Sequence, residues 1–323
     1  MSVLSLRDVR VGTRRHREVC EIVRGVDLEV VPGEKVGIVG ESGSGKTLTM
    51  LSVLRLLPRP LEMLGGQVRF EGRSLTDLDE RGMESTRGAG MAIVYQDPMT
   101  SLNPLLRVRT QVVETLRAHG RSGAAARERT REVLGQVGFA DPKRVETAFP
   151  HELSGGMVQR VMIAMAIATS PRLLIADEPT TALDVTIQQQ ILELVDSLQS
   201  QTGMSVVWVT HDLGVIARLV DRVFVMYAGR VVEHASTERL FARPSHPYTL
   251  ALLGSLPGPG VAHRAQLIQI GGSPPDPARL PPGCPFRARC PFAFDRCAEE
   301  EPPLVGRGAS SFAACWKEPS AWR

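Results

Sequence analysis

Apolar residues in the first hundred positions fall into short runs separated by turns, a pattern typical of β-strands. Five such runs predict strands at residues 3–6, 26–30, 35–39, 65–70 and 89–95. A Pro-Gly turn at residues 32–33 leads into the third run, and Gly72 follows the fourth. We expect part of this region to form an antiparallel β layer.

The pattern becomes helical from about residue 104 to 168, where charged helix faces recur without a strong strand pattern. Two continuous apolar runs follow, at 173–176 and 205–210, with a long helix-compatible stretch at 185–202 between them. Continuous apolar residues are typical of parallel strands that are buried on both faces. The predicted fold class is therefore α/β.

A last hairpin is predicted from two strand-like runs, 222–227 and 230–234, that turn at Ala228 and Gly229. Beyond about residue 242 the composition shifts to Pro, Gly and Cys, which indicates a small loop-rich appendage. A length of 323 residues is sufficient for a large domain with such an addition. We expect the domains to be 1–241 and 242–323.

The composition is 43% hydrophobic and 23% charged, as in an ordinary soluble protein. The net charge of +3 is not gathered into a basic tract, and aromatic residues make up only 5% of the chain, so nucleic acid is not an expected partner. No secretory signal is apparent, and no apolar run approaches the roughly 18 residues of a spanning helix. We expect a cytosolic chain that is at most peripheral to a membrane.

The strongest motif is GESGSGKT at residues 40–47, between a strand-like run and a helix-like run. It fits the phosphate-binding loop pattern, in which glycines let backbone N–H groups face an anion at a helix N-terminus. Lys46 is expected to reach the β- and γ-phosphates of a nucleoside triphosphate, and the Thr47 hydroxyl to ligate Mg²⁺. A simple Gly-rich turn would need neither residue. The candidate nucleotide-binding residues are Ser42, Gly43, Ser44, Gly45, Lys46, Thr47 and Leu48.

Adjacent carboxylates, Asp177 and Glu178, come directly after the apolar run 173–176. At the carboxyl edge of a parallel sheet, Asp177 would hold Mg²⁺ through water, and Glu178 would orient and deprotonate the attacking water. His211 follows the next strand and would hydrogen-bond the γ-phosphate at the same edge. Taken alone, each of these residues is also compatible with a structural role.

The stretch LSGGM at residues 153–157 places Ser154, Gly155 and Gly156 at the start of a second helix. This is another helix N-terminus suited to an anion. One nucleotide does not need two such sites from one chain, so we expect this one to contact the γ-phosphate of a nucleotide held by another subunit. An N-capped helix without a ligand is the alternative.

The order of these motifs resembles that of the ATP-binding subunits of ABC transporters. In that family's terms they are the Walker A loop 40–47, the Q-loop Gln96, the signature 153–157, the Walker B run 173–178, the D-loop 182–184 and the switch histidine His211. The resemblance implies a P-loop ATPase core with an antiparallel β layer, a helical subdomain at about 97–165, and a head-to-tail dimer with nucleotides at its interface. It also implies a Mg²⁺ contact by Gln96 and a nucleotide contact by Asp184.

Residues 95–104, 153–164 and 246–248 further resemble oligopeptide and dipeptide importer subunits, of the D type in a dipeptide permease. The implied function is ATP hydrolysis that powers peptide import by closing and reopening the dimer. The implied partners are a paralogous second ATPase, two transmembrane permeases and, indirectly, an extracytoplasmic solute-binding protein. The implied location is the cytoplasmic face of the cell membrane. Import of nickel or another small solute is the alternative, followed by a soluble ABC ATPase that acts on nucleic acid or ribosomes.

The chain departs from the family pattern at two points. Met157 replaces the glutamine that most signatures carry, so we expect this position to support the loop without binding phosphate. The N-terminal strand also lacks the aromatic residue that usually stacks on adenine. Val11, Arg15 or His16 is the candidate substitute.

The chain has five cysteines, and four of them are bunched near its end. Cys284, Cys290, Cys297 and Cys315 lie in a Pro-rich segment, and in a reducing cytosol this bunching favours a metal site over disulfides. Four thiolates suit a [4Fe–4S] cluster or tetrahedral zinc. The spacing lacks Cys-x2-Cys pairs and the importer resemblance includes such clusters, so we expect [4Fe–4S]. We expect it to be a structural staple with no role in ATP hydrolysis, because it is remote in sequence from every catalytic motif.

Overall fold

The computed structural model describes residues 2–15, 18–97, 101–181, 183–256, 270–308 and 310–322. Of the predicted motif residues, His16, the segment 98–100 and Ala182 lie outside this set. The chain divides into two compact units. The first comprises Met1–Val3, Val30–Glu34 and Glu71–Trp208, and the second comprises Leu4–Glu29, Lys35–Phe70 and Val209–Arg323.

The strands are β1 (Leu4–Arg15), β2 (Glu18–Val30), β3 (Lys35–Val39), β4 (Glu62–Phe70), β5 (Arg73–Ser74), β6 (Met91–Val94), β7 (Leu173–Asp177), β8 (Ser205–Thr210), β9 (Arg222–Tyr227), β10 (Arg230–Ser236), β11 (Val305–Gly306) and β12 (Phe312–Ala313). The helices are α1 (Lys46–Val53), α2 (Glu80–Thr86), α3 (Val108–Ala118), α4 (Gly123–Gln136), α5 (Pro142–Thr147), α6 (Gly155–Ile167), α7 (Val185–Thr202), α8 (Leu213–Ile216), α9 (Thr237–Ala242), α10 (Pro247–Gly254) and α11 (Arg296–Glu299). Short 3₁₀ turns lie at Pro150–Glu152, Pro277–Arg279, Arg287–Arg289 and Pro319–Trp322.

The first unit contains the parallel pair β6 and β7, in which Met91 lies opposite Leu173 and Val94 opposite Ala176. The order continues from β7 to β8, whose first residues belong to this unit. β7 is buried along its length, because an uninterrupted apolar run lets both faces of the strand be covered. The prediction of a buried parallel strand at this position is confirmed.

Helices α3 to α6 of the first unit pack on one another. Val112 of α3, Leu134 of α4 and Val158 of α6 have no exposed surface. α3 and α4 turn one apolar stripe inward, whereas α6 is buried on most of its sides. Charged residues such as Arg127, Glu128 and Glu132 are exposed, whereas Glu146 of α5 is buried and pairs with Arg131. The prediction of a helical region at 104–168 is confirmed.

The second unit contains an antiparallel layer in the order β2-β1-β4, in which Leu4 lies opposite Phe70. β1 and β2 extend well beyond the apolar runs that predicted them. The extra length mixes charged residues with buried apolar ones such as Val9 and Val23, and Arg7 on β1 pairs with Glu29 on β2. Apolar runs therefore predict only part of these strands, because charged side chains occupy the exposed face of an antiparallel layer.

The second unit also contains strands in the order β3-β9-β10-β12-β11. β3 and β9 are parallel, with Val36 opposite Arg222, and β9 then turns antiparallel into β10. Ala228 and Gly229 both have positive φ angles, 46° and 80°, as a two-residue type I′ hairpin requires. The predicted hairpin and its turn are confirmed.

The end of the chain contributes to the second unit, because β12 pairs with β10. Ala313 lies opposite Glu233, and Phe312 opposite His234. The rings of Phe312 and Phe224 stack on opposite sides of His234, at 4.6 and 4.9 Å between centroids.

Across the described residues, none of the helices combines the length and the apolar character that a membrane span needs.

Candidate functional site

The loop between β3 and α1 has a backbone conformation that requires glycine. Gly40 has a φ of 154°, and a Cβ there would lie 2.2 Å from the carbonyl oxygen of Met226. Gly45 is the N-cap of α1, with a φ of 97°, and no side chain caps this helix. The first turn of α1 therefore presents backbone N–H groups at the loop without a capping side chain, which suits an anionic ligand.

Two buried polar groups lie in this loop. Lys46 is 4% exposed, and its Nζ donates to the carbonyl oxygens of Gly40 at 2.8 Å and Glu41 at 3.0 Å. The hydroxyl of Ser44 is buried and has no hydrogen-bond partner in the described part of the chain. Because a buried polar group without a partner is costly, this loop fits a ligand that supplies oxygen atoms. Gly45 is also buried. The other predicted loop residues are at least partly accessible, namely Ser42, Gly43, Thr47 and Leu48.

Glu178 lies directly after β7, and two side chains of the first unit hold it. Gln96 Nε2 donates to Glu178 Oε2 at 3.3 Å, and Thr181 Oγ1 donates to the same oxygen at 2.9 Å. The φ of Glu178 is 46°, in the left-handed region that residues other than glycine rarely adopt. The structure thus brings together Gln96 and Glu178, and it adds Thr181, which the sequence motifs did not indicate.

Asp177 is the last residue of β7 and is 4% exposed. Burial raises the pKa of Tyr95, and the negative charge of Asp177 raises it further. The register of β6 and β7, in which Val94 lies opposite Ala176, places Asp177 near the end of β6, shortly before Gln96. The ends of two parallel strands therefore gather Asp177, Glu178 and Gln96 at one edge, the edge that the strand pattern predicted for Asp177 and Glu178.

Ser154 is the N-cap of α6, and its Oγ accepts a hydrogen bond from the backbone N–H of Met157 at 3.4 Å. Gly155 and Gly156 are the first residues of that helix. A Cβ on Gly156 would lie 2.7 Å from Cγ2 of Ile187 in α7, whereas the nearest atom to a Cβ on Gly155 is 3.8 Å away. Packing therefore accounts for Gly156, and it leaves Gly155, which is exposed, without a steric reason.

Asp184 is the N-cap of α7. Its Oδ1 accepts hydrogen bonds from the backbone N–H groups of Thr186 at 3.1 Å and Ile187 at 3.0 Å. This arrangement satisfies two N–H groups of the first turn of the helix. Asp184 therefore has a structural role in addition to the predicted contact with nucleotide.

His211 follows β8 and is exposed. It belongs to the second unit together with the loop at 40–47, whereas Gln96, Asp177, Glu178, Ser154, Gly155, Gly156 and Asp184 belong to the first.

Val11, a suggested substitute for the missing adenine-stacking aromatic, has no exposed surface. A contact between Val11 and a base is therefore wrong for this structure, because the side chain is covered within the β layer.

The four late cysteines line one cavity together with aromatic side chains. All are free thiols, and burial raises the pKa of Cys284 to about 12, with the charges of the other three adding to the effect. Among the described residues, no group of three or more His, Cys, Asp or Glu side chains is arranged to hold a metal ion. A shared cavity is thus established for these cysteines, and a metal site is not.

Two family models match the chain. Residues 23–181 match the ABC transporter model, and residues 232–297 match the model for the oligopeptide/dipeptide transporter C-terminal region. Together these matches contain the loop at 40–47, the pair Asp177 and Glu178, and three of the four late cysteines. They also contain Gln96 and the signature stretch.

Close relatives match the chain over nearly its whole length. A probable peptide ABC transporter ATP-binding protein, y4tR of Sinorhizobium fredii, is 50% identical over 98% of this chain and 95% of its own. The chain belongs to the family of ABC transporter ATP-binding proteins. The dipeptide transport ATP-binding protein DppD of Bacillus subtilis is 45% identical over 97% of this ABC ATPase and 94% of its own length, and OppD of the same organism is 43% identical over 97% and 88%.

Solved structures agree with this assignment. The ATP-binding cassette MJ0796, in a dimeric post-hydrolysis state bound to ADP and phosphate, is 30% identical and has a TM-score of 0.64 over 72% of this ABC ATPase and 98% of its own chain. CbiO1 of Clostridium perfringens is 25% identical, with a TM-score of 0.64 over 75% of this chain and 91% of its own. The predicted α/β cassette fold is confirmed, and ATP and Mg²⁺ are the expected ligands of this enzyme.

Proposed function

We propose that this ABC ATPase powers the import of di- and oligopeptides, as a peripheral subunit at the cytoplasmic face of the cell membrane. The observation that carries the proposal is the match of residues 232–297 to the oligopeptide/dipeptide transporter C-terminal region. The names of the relatives, which refer to peptide, oligopeptide and dipeptide transport, support the same class of solute. Solute choice itself would be made by the membrane and receptor subunits.

Binding of the triphosphate is assigned to the loop between β3 and α1. The buried ammonium of Lys46 exchanges its bonds to the Gly40 and Glu41 carbonyl oxygens for phosphate oxygens, and the Ser44 hydroxyl gains a partner. The uncapped first turn of α1 supplies backbone N–H groups to the same phosphates. The Thr47 hydroxyl, Gln96 and Asp177 are the residues that would hold Mg²⁺, which neutralises phosphate charge when bound.

Hydrolysis is assigned to Glu178, which accepts a proton from the attacking water. Gln96 and Thr181 fix the direction of this carboxylate through their hydrogen bonds to Oε2. A carboxylate held by two donors keeps its position with little loss of conformational freedom during the reaction. His211 would contact the γ-phosphate and the same water.

The signature stretch acts on a nucleotide held by a second ATPase, in a dimer that closes on ATP and reopens after hydrolysis. Support comes from Gly155, whose exposed position at the start of α6 has no steric cause. Asp184 approaches the same interface from the start of α7. The second ATPase is a paralogue, and two permease subunits and a solute-binding protein complete the importer.

The four late cysteines are the proposed ligands of a [4Fe–4S] cluster. Their common cavity and their free thiols support this role, since such a cluster needs four thiolates. Among the described residues, no group of three or more His, Cys, Asp or Glu side chains is arranged to hold a metal ion. The cluster would supply cross-links within a loop-rich segment.

Purification of the native complex from source membranes tests the importer. We expect two permeases, a second ATPase and a solute-binding protein to accompany the chain. In vesicles, the purified complex should accumulate labelled peptide with ATP, and a complex with Glu178→Gln should not. Recovery of ribosomes or nucleic acid without membrane proteins would contradict transport, and a receptor that binds nickel in place of peptide would contradict the solute class.

A further inference from the structure

The C-terminal segment contacts the phosphate loop through Glu41. Arg289 lies in the 3₁₀ turn that precedes Cys290, and its guanidinium donates to both carboxylate oxygens of Glu41, at 2.6 and 2.8 Å. The Arg289 side chain is 4% exposed and that of Glu41 is 26% exposed. A bidentate ion pair this well covered is both stronger and more directional than a surface pair.

Arg289 uses every donor that it has. Besides the two bonds to Glu41, Nη1 donates to Tyr227 Oη at 3.3 Å. Nη2 donates to the carbonyl oxygen of Ile270 at 3.3 Å, and Nε to that of Gly271 at 2.9 Å. Five N–H groups thus have five acceptors, a set that the three donors of a lysine cannot reproduce.

The backbone of Glu41 is held as well. Its N–H donates to Tyr248 Oη at 2.8 Å, and its carbonyl oxygen accepts from Lys46 Nζ at 3.0 Å. Tyr248 has no exposed surface, and its ring lies 4.6 Å from that of Tyr227 and 5.4 Å from that of Phe286. Glu41 is therefore fixed at both its side chain and its main chain. The lysine of the loop, Lys46, makes one of the main-chain contacts.

A negatively charged carboxylate in a loop that binds triphosphate would repel the phosphates. Like charges disfavour each other, and the effect grows where water is partly excluded. The guanidinium of Arg289 neutralises Glu41 and turns its carboxylate toward the C-terminal segment. The same residue, Glu41, also accepts a hydrogen bond from Lys46 at its carbonyl oxygen, so the ion pair with Arg289 restrains a residue that contacts the loop lysine.

We propose that Arg289 is a positioning residue of the nucleotide site, which acts through Glu41 to neutralise and preorganise the phosphate loop. Arg289 lies far along the chain from every ATPase motif, and the proposal rests on the nucleotide site assigned above. It makes the C-terminal segment part of the ATP-binding apparatus. The segment is remote from the ATPase motifs along the chain, but Arg289 brings it into contact with the phosphate loop.

ATP affinity of the full-length protein tests this role, with a fluorescent ATP analogue as the probe and the melting temperature recorded for every variant. Arg289→Ala should weaken binding by about tenfold, the loss that goes with a charged hydrogen-bond partner. Arg287→Ala is the matched control, because this arginine of the same turn donates to the carbonyl oxygens of Pro282 and Ala298 and not to the loop. Its affinity should stay at the wild-type value.

The double variant Glu41→Ala with Arg289→Ala separates positioning from folding. Because it removes the unneutralised carboxylate, it should bind ATP more tightly than Arg289→Ala alone, and Arg289→Lys should rescue only part of the loss. If Arg289→Ala does not fold, Arg289→Lys takes its place, with an expected loss of about threefold in affinity, because the three donors of lysine do not reproduce the arginine contacts.

Wild-type affinity in Arg289→Ala, or in Arg289→Lys where that variant replaces it, would overturn the proposal. Equal losses in affinity and melting temperature for Arg287→Ala and Arg289→Ala would do the same. Failure of the wild type to bind ATP, with Lys46→Ala indistinguishable from it, would instead contradict the nucleotide site on which the proposal rests.

Discussion

Gln96 Nε2 lies 3.3 Å from Glu178 Oε2, so the end of β6 holds the carboxylate that follows β7. If Glu178 is the general base, Glu178→Gln should reduce ATP turnover by at least about a hundredfold, because the amide cannot accept the proton of water. The amide keeps an oxygen for Gln96, so ATP affinity should remain. Phosphate release and equilibrium ATP binding measure the two effects, and normal turnover in this variant would refute the assignment.

Thr181 provides a second test of the same carboxylate. Thr181→Val keeps the shape of the side chain but removes the hydroxyl that donates to Glu178 at 2.9 Å. We expect kcat to fall by about tenfold with little change in KM, since a small misplacement of the base affects the chemical step more than binding. Thr181→Ser, which retains the hydroxyl, is the control. A Thr181→Val enzyme with unchanged kcat would show that Gln96 positions the base without Thr181.

The two signature glycines should respond differently to alanine. A Cβ on Gly156 meets Ile187 at 2.7 Å, so Gly156→Ala should lower stability by about 1–3 kcal/mol through overpacking. Gly155→Ala has space, with its nearest neighbour at 3.8 Å, and should leave the melting temperature unchanged. A loss of ATPase activity in Gly155→Ala would therefore report on the nucleotide of the opposing subunit. Full activity of that variant in the assembled complex would contradict the predicted phosphate contact.

The sequence was sufficient for the parts of the site that depend on local chemistry. The glycine spacing at 40–47 dictates a loop conformation that the φ angles of Gly40 and Gly45 bear out. The apolar run before Asp177 and Glu178 dictates a buried strand that ends at those carboxylates. Both signals come from adjacent residues, so neither requires knowledge of what packs against them.

The sequence patterns do not predict contacts between distant parts of the chain. Arg289 and Glu41 are separated by 248 positions. From sequence alone, an arginine in a Pro-rich segment is expected to be a solvated surface charge. The long strands β1 and β2 were underestimated for a related reason, because their exposed faces carry charged residues. The shared cavity of the four cysteines agrees with their spacing, but spacing alone does not fix sulfur geometry.

The cysteine group makes a prediction that is independent of transport. Anaerobically purified protein should contain about four iron and four acid-labile sulfide atoms per chain if a [4Fe–4S] cluster is present. Cys290→Ser should lose both, whereas Cys20→Ser, which changes a thiol on β2, should lose neither. Stoichiometric zinc without sulfide, or no metal at all in wild-type protein, would remove the cluster from the description of this segment.

Glu233 on β10 gives the protein a stability that depends on pH. The carboxylate has no exposed surface and accepts hydrogen bonds from the backbone N–H groups of Ser245 at 2.6 Å and His246 at 2.8 Å. Burial raises its pKa from 4.5 to about 7. Between these values the native state keeps a proton that the unfolded chain releases, so the contribution of Glu233 is complete below about pH 4.5 and is lost as the pH rises through about 7.

Glu233→Gln isolates this contribution, because the amide does not titrate. Between about pH 5 and about pH 8, the free energy of unfolding of the wild type should fall by up to about 3 kcal/mol more than that of the variant. The variant should also be less stable at low pH, since its amide oxygen can replace only one of the two accepting oxygens and its amide nitrogen accepts no hydrogen bond. Urea unfolding of both proteins across this range measures the difference. Parallel pH profiles would place the proton elsewhere and leave Glu233 ionised in the folded protein.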